Sequence, residues 1–421
     1  MLGRVLVIAG KDPTADFGGS QTFVRALGRA ARKAGYDPHI FCASRRAATE
    51  RHDFGTLHQV WSPIRPFRAL MVGLHQPFLV AAVDKFVGRD AGPHLVHATG
   101  GWSGVAVAVA KRLRRRGRTA IVLTSPFSTY SHETRAKVLA MGPHYSLAVR
   151  AQLRFEMLWV RLVVSPSEER GFRGSELVLP NYDSVRRIIE DEFGSGIRFA
   201  KMTYASEAAF IEDGLEKPRM PDFLQSFEPK ATPLIVCVPR HDARKGIYVL
   251  LSALGELTAR GIPFRACLAG GGQLLEQHRR LAIKLGLAGS TLIVGKVPDS
   301  YSLLRHADIF VLPSLEESSG SVSLLEAMQA GAAPVVSRID GLPEDVTDEE
   351  SALLITPGDV GELADALARC LGDPALRNRL AASAQATYRE RFSADAYAKD
   401  LKSIYERFNF PPARESSKVR S

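Results

Sequence analysis

The chain of 421 residues has only four cysteines, Cys42, Cys237, Cys267 and Cys370, and no two of them form a Cys-x-x-Cys pair. That scatter, with no close Cys/His cluster, argues against a zinc site and a disulfide framework and fits a reducing, cytoplasmic setting. No uninterrupted apolar run reaches the ~18 residues of a membrane-spanning helix. The apolar run at the start, Val5-Leu6-Val7-Ile8-Ala9, is too short for a signal-peptide core and lacks a basic flank. No Gly-x-Gly-x-x-Gly follows the first strand, which disfavours a nicotinamide dehydrogenase. Fixed-period repeats and coiled-coil heptads are also missing.

What is present is ordinary for a soluble globular protein: 45% apolar and 24% charged residues. Single cores rarely grow past about 250–300 residues, so two domains are expected. The net charge of +10 is uneven. Residues 1–200 hold 29 Lys and Arg against 16 Asp and Glu, net +13, and the remainder holds 26 against 29, net −3. A basic first half suits an anionic partner or is simply a solvated face.

Short apolar runs alternate with amphipathic stretches along the whole chain. In the first half the runs are Arg4–Ala9, His39–Ala43, Leu95–His97, Ala120–Thr124, Leu177–Pro180 and Ile197–Lys201. In the second they are Leu234–Val238, Phe264–Ala269, Thr291–Val294, Ile309–Pro313, Ala333–Ser337 and Ala352–Ile355. The pattern predicts α/β architecture with two doubly wound parallel sheets. Expected boundaries are 1–211 for an N-terminal domain, 212–232 for a proline-rich linker and 233–393 for a C-terminal domain. A helix over 394–410 is expected to cross back to the N-terminal domain, ahead of a disordered tail, 411–421.

Ligands of such folds bind outside the carboxyl ends of the strands, and several motifs fall there. Arg240 and Lys245 lie between a strand and a helix, where two cations can neutralise a diphosphate. Gly270-Gly271-Gly272 follows another strand, as a close-approach loop or a plain tight turn. Gly295 and Val297 follow a third, where backbone can meet a planar base edge. After Ala307-Asp308-Ile309-Phe310-Val311-Leu312-Pro313-Ser314, a helix begins near Ser321. The amides of Ser321, Val322 and Ser323 would face an anion. Glu326, one turn in and among apolar neighbours, can accept ribose hydroxyls, and Glu317 precedes it in the loop. In the first half, Gly18-Gly19-Ser20 opens a helix, His97 ends a strand, and His132-Glu133 offers a second polar pair.

Together these segments resemble the retaining glycosyltransferases of family 4, with the GT-B fold of two facing Rossmann-like domains around a cleft. The most specific piece is Leu324-Leu325-Glu326-Ala327-Met328-Gln329-Ala330-Gly331 with Pro334-Val335-Val336-Ser337. The resemblance implies that the C-terminal domain binds a nucleotide-diphosphate sugar and the N-terminal domain the acceptor. Arg240 and Lys245 would hold the diphosphate, Glu326 the ribose and Glu317 the sugar, while Gly19 and the amides of Ser321 to Ser323 would touch phosphate. It implies transfer with retained anomeric configuration and no cofactor, and the lack of any Asp-x-Asp pair agrees with metal independence. Two departures stand out. Eight residues separate Glu317 from Glu326 where the family has seven, so the loop must bulge and Glu316 is a rival. Pro126 occupies the place of the His in the family's Thr-x-His segment, so His97 or His132 supplies that group or the enzyme does without it.

The acceptor is left open among a glycan, a lipid-linked and a small-molecule hydroxyl. Arg65–Leu74, Lys111–Arg118 and Arg154–Arg161 mix cations with apolar residues, as a peripheral anionic-membrane surface or as core-facing helices with basic outer faces. No nucleic-acid reader motif occurs, so none is expected as partner. Rival readings are an epimerase or phosphorylase of the same fold and a non-catalytic binding protein.

Overall fold

A computed structural model of the chain describes residues 3–14, 19–63, 72–88, 92–139, 147–210, 220–225, 227 and 231–410. They divide into two compact units, Met1–Phe210 with Ala394–Ser421 and Ile211–Ser393.

The first unit carries β1 (Arg4–Ile8), β2 (Asp37–Ser44), β3 (Ala48–His52), β4 (Gly55–Trp61), β5 (His94–Thr99), β6 (Ala120–Ser125) and β7 (Leu177–Val178). Their order is β3-β4-β2-β1-β5-β6-β7. All pairings are parallel except β3 with β4. The chain runs outward from β1 to one side and returns to β5 on the other, so β1 and β5 flank the switch point. Leu6, Ile8, Val96 and Ala98 pack with Val105 and Val109 of the helix Ser103–Arg114 in one core. Strands buried on both faces read as unbroken apolar runs, and that made most of them visible. The β3–β4 hairpin escaped because Ala48-Thr49-Glu50-Arg51-His52 is a polar edge strand, paired on one side only. The expected strand Ile197–Lys201 is corrected to a single bridge, Val178 to Phe199.

The helix Ala394–Glu406 belongs to this first unit. Tyr397 and Tyr405 are buried, Lys33 Nζ lies 2.9 Å from Asp395, and the Tyr36 hydroxyl donates to the Phe410 carbonyl at 2.9 Å.

The second unit carries β8 (Leu234–Cys237), β9 (Arg265–Ala269), β10 (Thr291–Gly295), β11 (Ile309–Leu312), β12 (Ala333–Ser337) and β13 (Leu353–Ile355). All are parallel, in the order β10-β9-β8-β11-β12-β13. This is a doubly wound sheet whose switch point lies between β8 and β11. Helices Ile247–Ala259 and Val360–Gly372 bury Leu250, Leu254, Leu363 and Leu367 against it. A helix missed in the sequence, Pro374–Arg391, starts where Asp373 accepts from the Ala375 and Leu376 amides.

Most of the expected linker and the whole tail 411–421 lie outside the described residues. Within the linker, Asp222–Gln225 forms a helical turn after Pro221, and the Phe227 carbonyl accepts from Arg265 Nη1 at 3.1 Å. That part of the segment is therefore packed onto the second unit.

Candidate functional site

In the second unit, the loops after β8 and β11 meet at the switch point. After β8, Asp242 accepts from the Arg244 amide at 3.1 Å and caps the turn Ala243–Lys245. Gly246 follows at φ 60°, and the helix Ile247–Ala259 begins. Lys245 Nζ donates to both oxygens of Glu317, at 2.7 and 2.6 Å. The two side chains are only 19% and 5% exposed. Ser314 Oγ adds a bond to Glu317 at 2.5 Å. An ammonium has three donors, so Lys245 keeps capacity for an anion beyond Glu317.

The longer glutamate spacing has a visible accommodation. Ser318 takes the left-handed conformation, φ 68°, and Asp340 Oδ2 accepts from the Glu317 and Ser318 amides at 2.7 and 2.8 Å. Leu315 N donates to the Arg244 carbonyl at 2.7 Å and ties the two loops together. Of the two rival carboxylates, Glu317 is the one that meets Lys245.

The helix Val322–Ala330 starts at Ser321, whose backbone is extended and whose side chain caps no amide. Ser321 Oγ instead lies 2.9 Å from Ser323 Oγ. The first-turn amides of Val322 and Ser323 are thus left uncapped by Ser321, at the positive end of a helix. Glu326 is half-buried one turn in, between buried Leu325 and Ala327.

Other expected residues are placed less closely. Arg240 follows β8 with its side chain 74% exposed, 3.2 Å from Asp242. A Cβ on Gly270 or Gly272 would stand 2.2 Å from the Pro239 carbonyl oxygen or 2.3 Å from that of His241. Packing of two loops therefore accounts for these two glycines. At Gly271 the nearest atom is 3.8 Å away, so its backbone stays open to approach. Gly295 has φ 76° and its carbonyl accepts from Gly270 N at 2.7 Å; Val297 is half-buried beyond it.

Sequence reading missed His241 and Asp340. His241 is fully buried, its Nδ1 2.9 Å from His278 Nδ1, and burial with His278 and Arg279 nearby pushes its pKa down to about 4. It is a neutral brace for the loop carrying Arg240 and Lys245. A polar residue ending a strand's exit loop just before Gly341 was the available signal for Asp340.

In the first unit, Gly18 lies outside the described residues, and Gly19 opens the helix Gly19–Lys33 with open space where a Cβ would be. The expectation that His97 faces a ligand is corrected. His97 is fully buried, with Nδ1 2.8 Å from the Tyr405 hydroxyl and Nε2 2.8 Å from Ser125 Oγ. Both nitrogens are occupied, one by the C-terminal helix. Burial lowers its pKa from 6.5 to about 3, so the folded protein holds it neutral. The sign follows: stability is fully present above pH 6.5 and falls as acid protonates the unfolded chain first. Between about pH 6.5 and 4, His97→Gln is expected to flatten the pH dependence of unfolding free energy by about 1.4 kcal/mol per pH unit, measured by urea melts. An unchanged slope would refute the buried neutral histidine. His132 sits in the first turn of Tyr130–Leu139, half-buried, with its amide donating to Thr129 Oγ1 at 3.1 Å.

A cavity of about 160 Å³ opens at the β1–β5 switch point, lined among others by Gly10, Lys11, Thr99, Gly101, Ser128 and Glu168. Glu168 was not anticipated. Its carboxyl is buried and receives the Tyr130 amide at 3.3 and 3.1 Å. Burial, reinforced by the charges of Glu192 and Glu133, holds its pKa well above the usual carboxylate range despite that amide. Ser128 Oγ is buried there with no hydrogen-bond partner among the described residues.

Residues 18–204 match the glycosyl transferase 4-like domain and residues 221–387 match glycosyl transferases group 1. A lipopolysaccharide core biosynthesis glycosyltransferase, LpsD of Rhizobium meliloti, is 33% identical over 41% of this chain and 49% of its own length. The alpha-D-kanosaminyltransferase of Streptomyces kanamyceticus is 28% identical over 49% of this chain and 54% of its own. The chain thus spans about half the length of these curated relatives. Among solved structures, sucrose-phosphate synthase of Thermosynechococcus elongatus superposes with a TM-score of 0.72 at 21% identity, covering 96% of this chain and 99% of the other. Anabaena HepE in complex with UDP does so at 0.67 and 16%, covering 96% and 99%. Two doubly wound units, a basic loop and a helix N-terminus at the second switch point, and family matches over both units converge: residues 18–204 are a glycosyl transferase 4-like domain, residues 221–387 a glycosyl transferases group 1 domain, and the chain has the GT-B fold.

Proposed function

We propose that the chain transfers a sugar from a nucleotide-diphosphate donor to an acceptor hydroxyl with retained anomeric configuration. The observation that carries this reading is the Lys245–Glu317 pair, which ties two loops at the switch point of the second unit just ahead of the Val322–Ala330 helix. Lys245, Arg240 and the first-turn amides would take the diphosphate, and Glu326 the ribose. The acceptor oxygen bonds the anomeric carbon as the bond from that carbon to the diphosphate breaks. The electron pair leaves with the diphosphate, and the acceptor proton passes to a departing phosphate oxygen. Fixed cations and amides stabilise that charge without a metal. Similarity to a structure holding UDP supports a nucleoside diphosphate as ligand.

The cavity of the first unit, with Ser128, Thr99 and the buried carboxyl of Glu168, suits hydroxyl groups and is the acceptor site in this reading. Relatives named for lipopolysaccharide core and kanosamine transfer support a glycan, lipid-linked or small-molecule hydroxyl as acceptor.

Thermal melting with UDP, GDP, ADP, CMP and NAD tests the donor site. One nucleoside diphosphate at about a hundred times its Kd is expected to stabilise the protein by about 2.7 kcal/mol, and Lys245→Ala and Glu326→Ala to lose that shift. If no nucleotide shifts the melting transition, the donor reading is wrong.

A further inference from the structure

The helix Leu147–Trp159 runs through a π-helical turn, Val160–Val164, into Ser165–Gly174. Val160 and Val164 are buried and seat it on the first unit. Phe155, Leu158 and Leu162 are 63%, 54% and 65% exposed. Spaced three and four residues apart, they share one helix face, and that face is turned to water. Met157 and Val163 add exposed apolar surface beside it. A contiguous apolar patch of this kind marks an interaction site.

The cations beside the patch are uncommitted. Arg154 and Arg161 are exposed and make no ion pair among the described residues. The basic run Lys111–Arg118 is different. There Arg112 and Arg116 hold Asp84 at 3.0 and 2.9 Å, Arg114 holds Glu176 and the Ala120 carbonyl, and Arg118 holds the Gly88 carbonyl. Four of the six cations in that run are thus taken up by the fold, whereas Arg154 and Arg161 are not. The nearby Glu156 bonds Gln152 on the same helix at 2.9 Å.

We propose that this face docks the protein on an anionic lipid bilayer, with Phe155, Leu158 and Leu162 entering the interface and Arg154 and Arg161 on lipid phosphates. Charge decides the occupant. A second copy presenting the same face would bring unpaired guanidinium groups together, whereas anionic headgroups supply the missing partners. Among the described residues no helix is long and apolar enough to cross a membrane, so the helix lies in the interface plane. The proposal is independent of sugar transfer and is tested without any substrate.

The full chain would be sedimented with vesicles of phosphatidylglycerol mixed with phosphatidylcholine, and with phosphatidylcholine alone, at low and high salt. Binding to the anionic vesicles is expected, weakened by salt. The variant Phe155→Ser/Leu158→Ser/Leu162→Ser should lose it by roughly tenfold or more, while Arg154→Gln/Arg161→Gln should lose a similar factor and most of the salt dependence. Both variants should melt like the parent, since the altered side chains are exposed. The proposal is overturned if the parent stays in the supernatant at low salt, or if either variant binds as the parent does. It is equally overturned if light scattering shows a dimer that the apolar variant converts to monomer while no vesicles are bound.

Discussion

Lys245→Ala is expected to reduce kcat/KM for sugar transfer by roughly a thousandfold, the scale of losing one fixed donor to a developing anion. The same substitution leaves Glu317 buried without its counter-ion, a loss of about 3 kcal/mol or more of stability. The two effects separate in a double variant. Lys245→Ala/Glu317→Ala removes the orphaned carboxylate, so most of the melting temperature should return while activity stays at the level of the single variant. If activity returned together with stability, Lys245 would be a structural cation only. Ser314 and Asp340 hold Glu317 and its loop in place, so the pair is a preformed element of the site. In the proposed reaction Lys245 keeps one oxygen of Glu317 and offers a donor to the diphosphate.

Gly246→Ala should be the most damaging single substitution of a small residue in the second unit. Gly246 has φ 60°, and a Cβ there would lie 1.9 Å from the Pro313 carbonyl oxygen. That atom is backbone at the end of β11, so relief requires the loops after β8 and β11 to part. The left-handed conformation alone costs about 1 kcal/mol, and the clash brings the expected total to roughly 3 kcal/mol. For a unit of this size the melting temperature should fall by about 6–12 °C, and the nucleotide-induced shift should disappear. Gly271→Ala is the control: with nothing nearer than 3.8 Å, it should melt within about 0.5 kcal/mol of the parent. Equal melting of the two variants would mean that the tie between these loops is not what Gly246 provides.

The strands show why part of the fold is legible. β1, β8, β11 and β12 lie within a residue of their apolar runs because parallel strands are buried on both faces, and a buried run needs no partner to be recognised. The β3–β4 hairpin was not legible, since an edge strand of alternating polar residues resembles loop. The helix Pro374–Arg391 was overlooked because it buries little more than Leu380, Ala384 and Tyr388 along its length. In the site, loop chemistry was readable where local rules apply, as at the helix start near Ser321.

Residue types and local spacing alone determined the two α/β units, the strand-end position of the cationic and glycine loops, and a helix N-terminus ready for an anion. Each of these depends on near neighbours in the chain. Tertiary structure decided what side chains do when their partners lie far away. His97 reads as a strand-end ligand until Tyr405, 308 residues on, occupies its Nδ1. Lys245 meets Glu317 across 72 residues only because β8 and β11 are neighbours at a switch point. Glu168 is an ordinary helical carboxylate in sequence, and burial beside the cavity of the first unit, with Glu192 and Glu133 nearby, raises its pKa well above the usual carboxylate range. Arg112 and Arg154 look alike as cations on helices, yet Asp84 absorbs one and leaves the other to face outward. Partner identity over long separations is set by packing, and no local pattern encodes it.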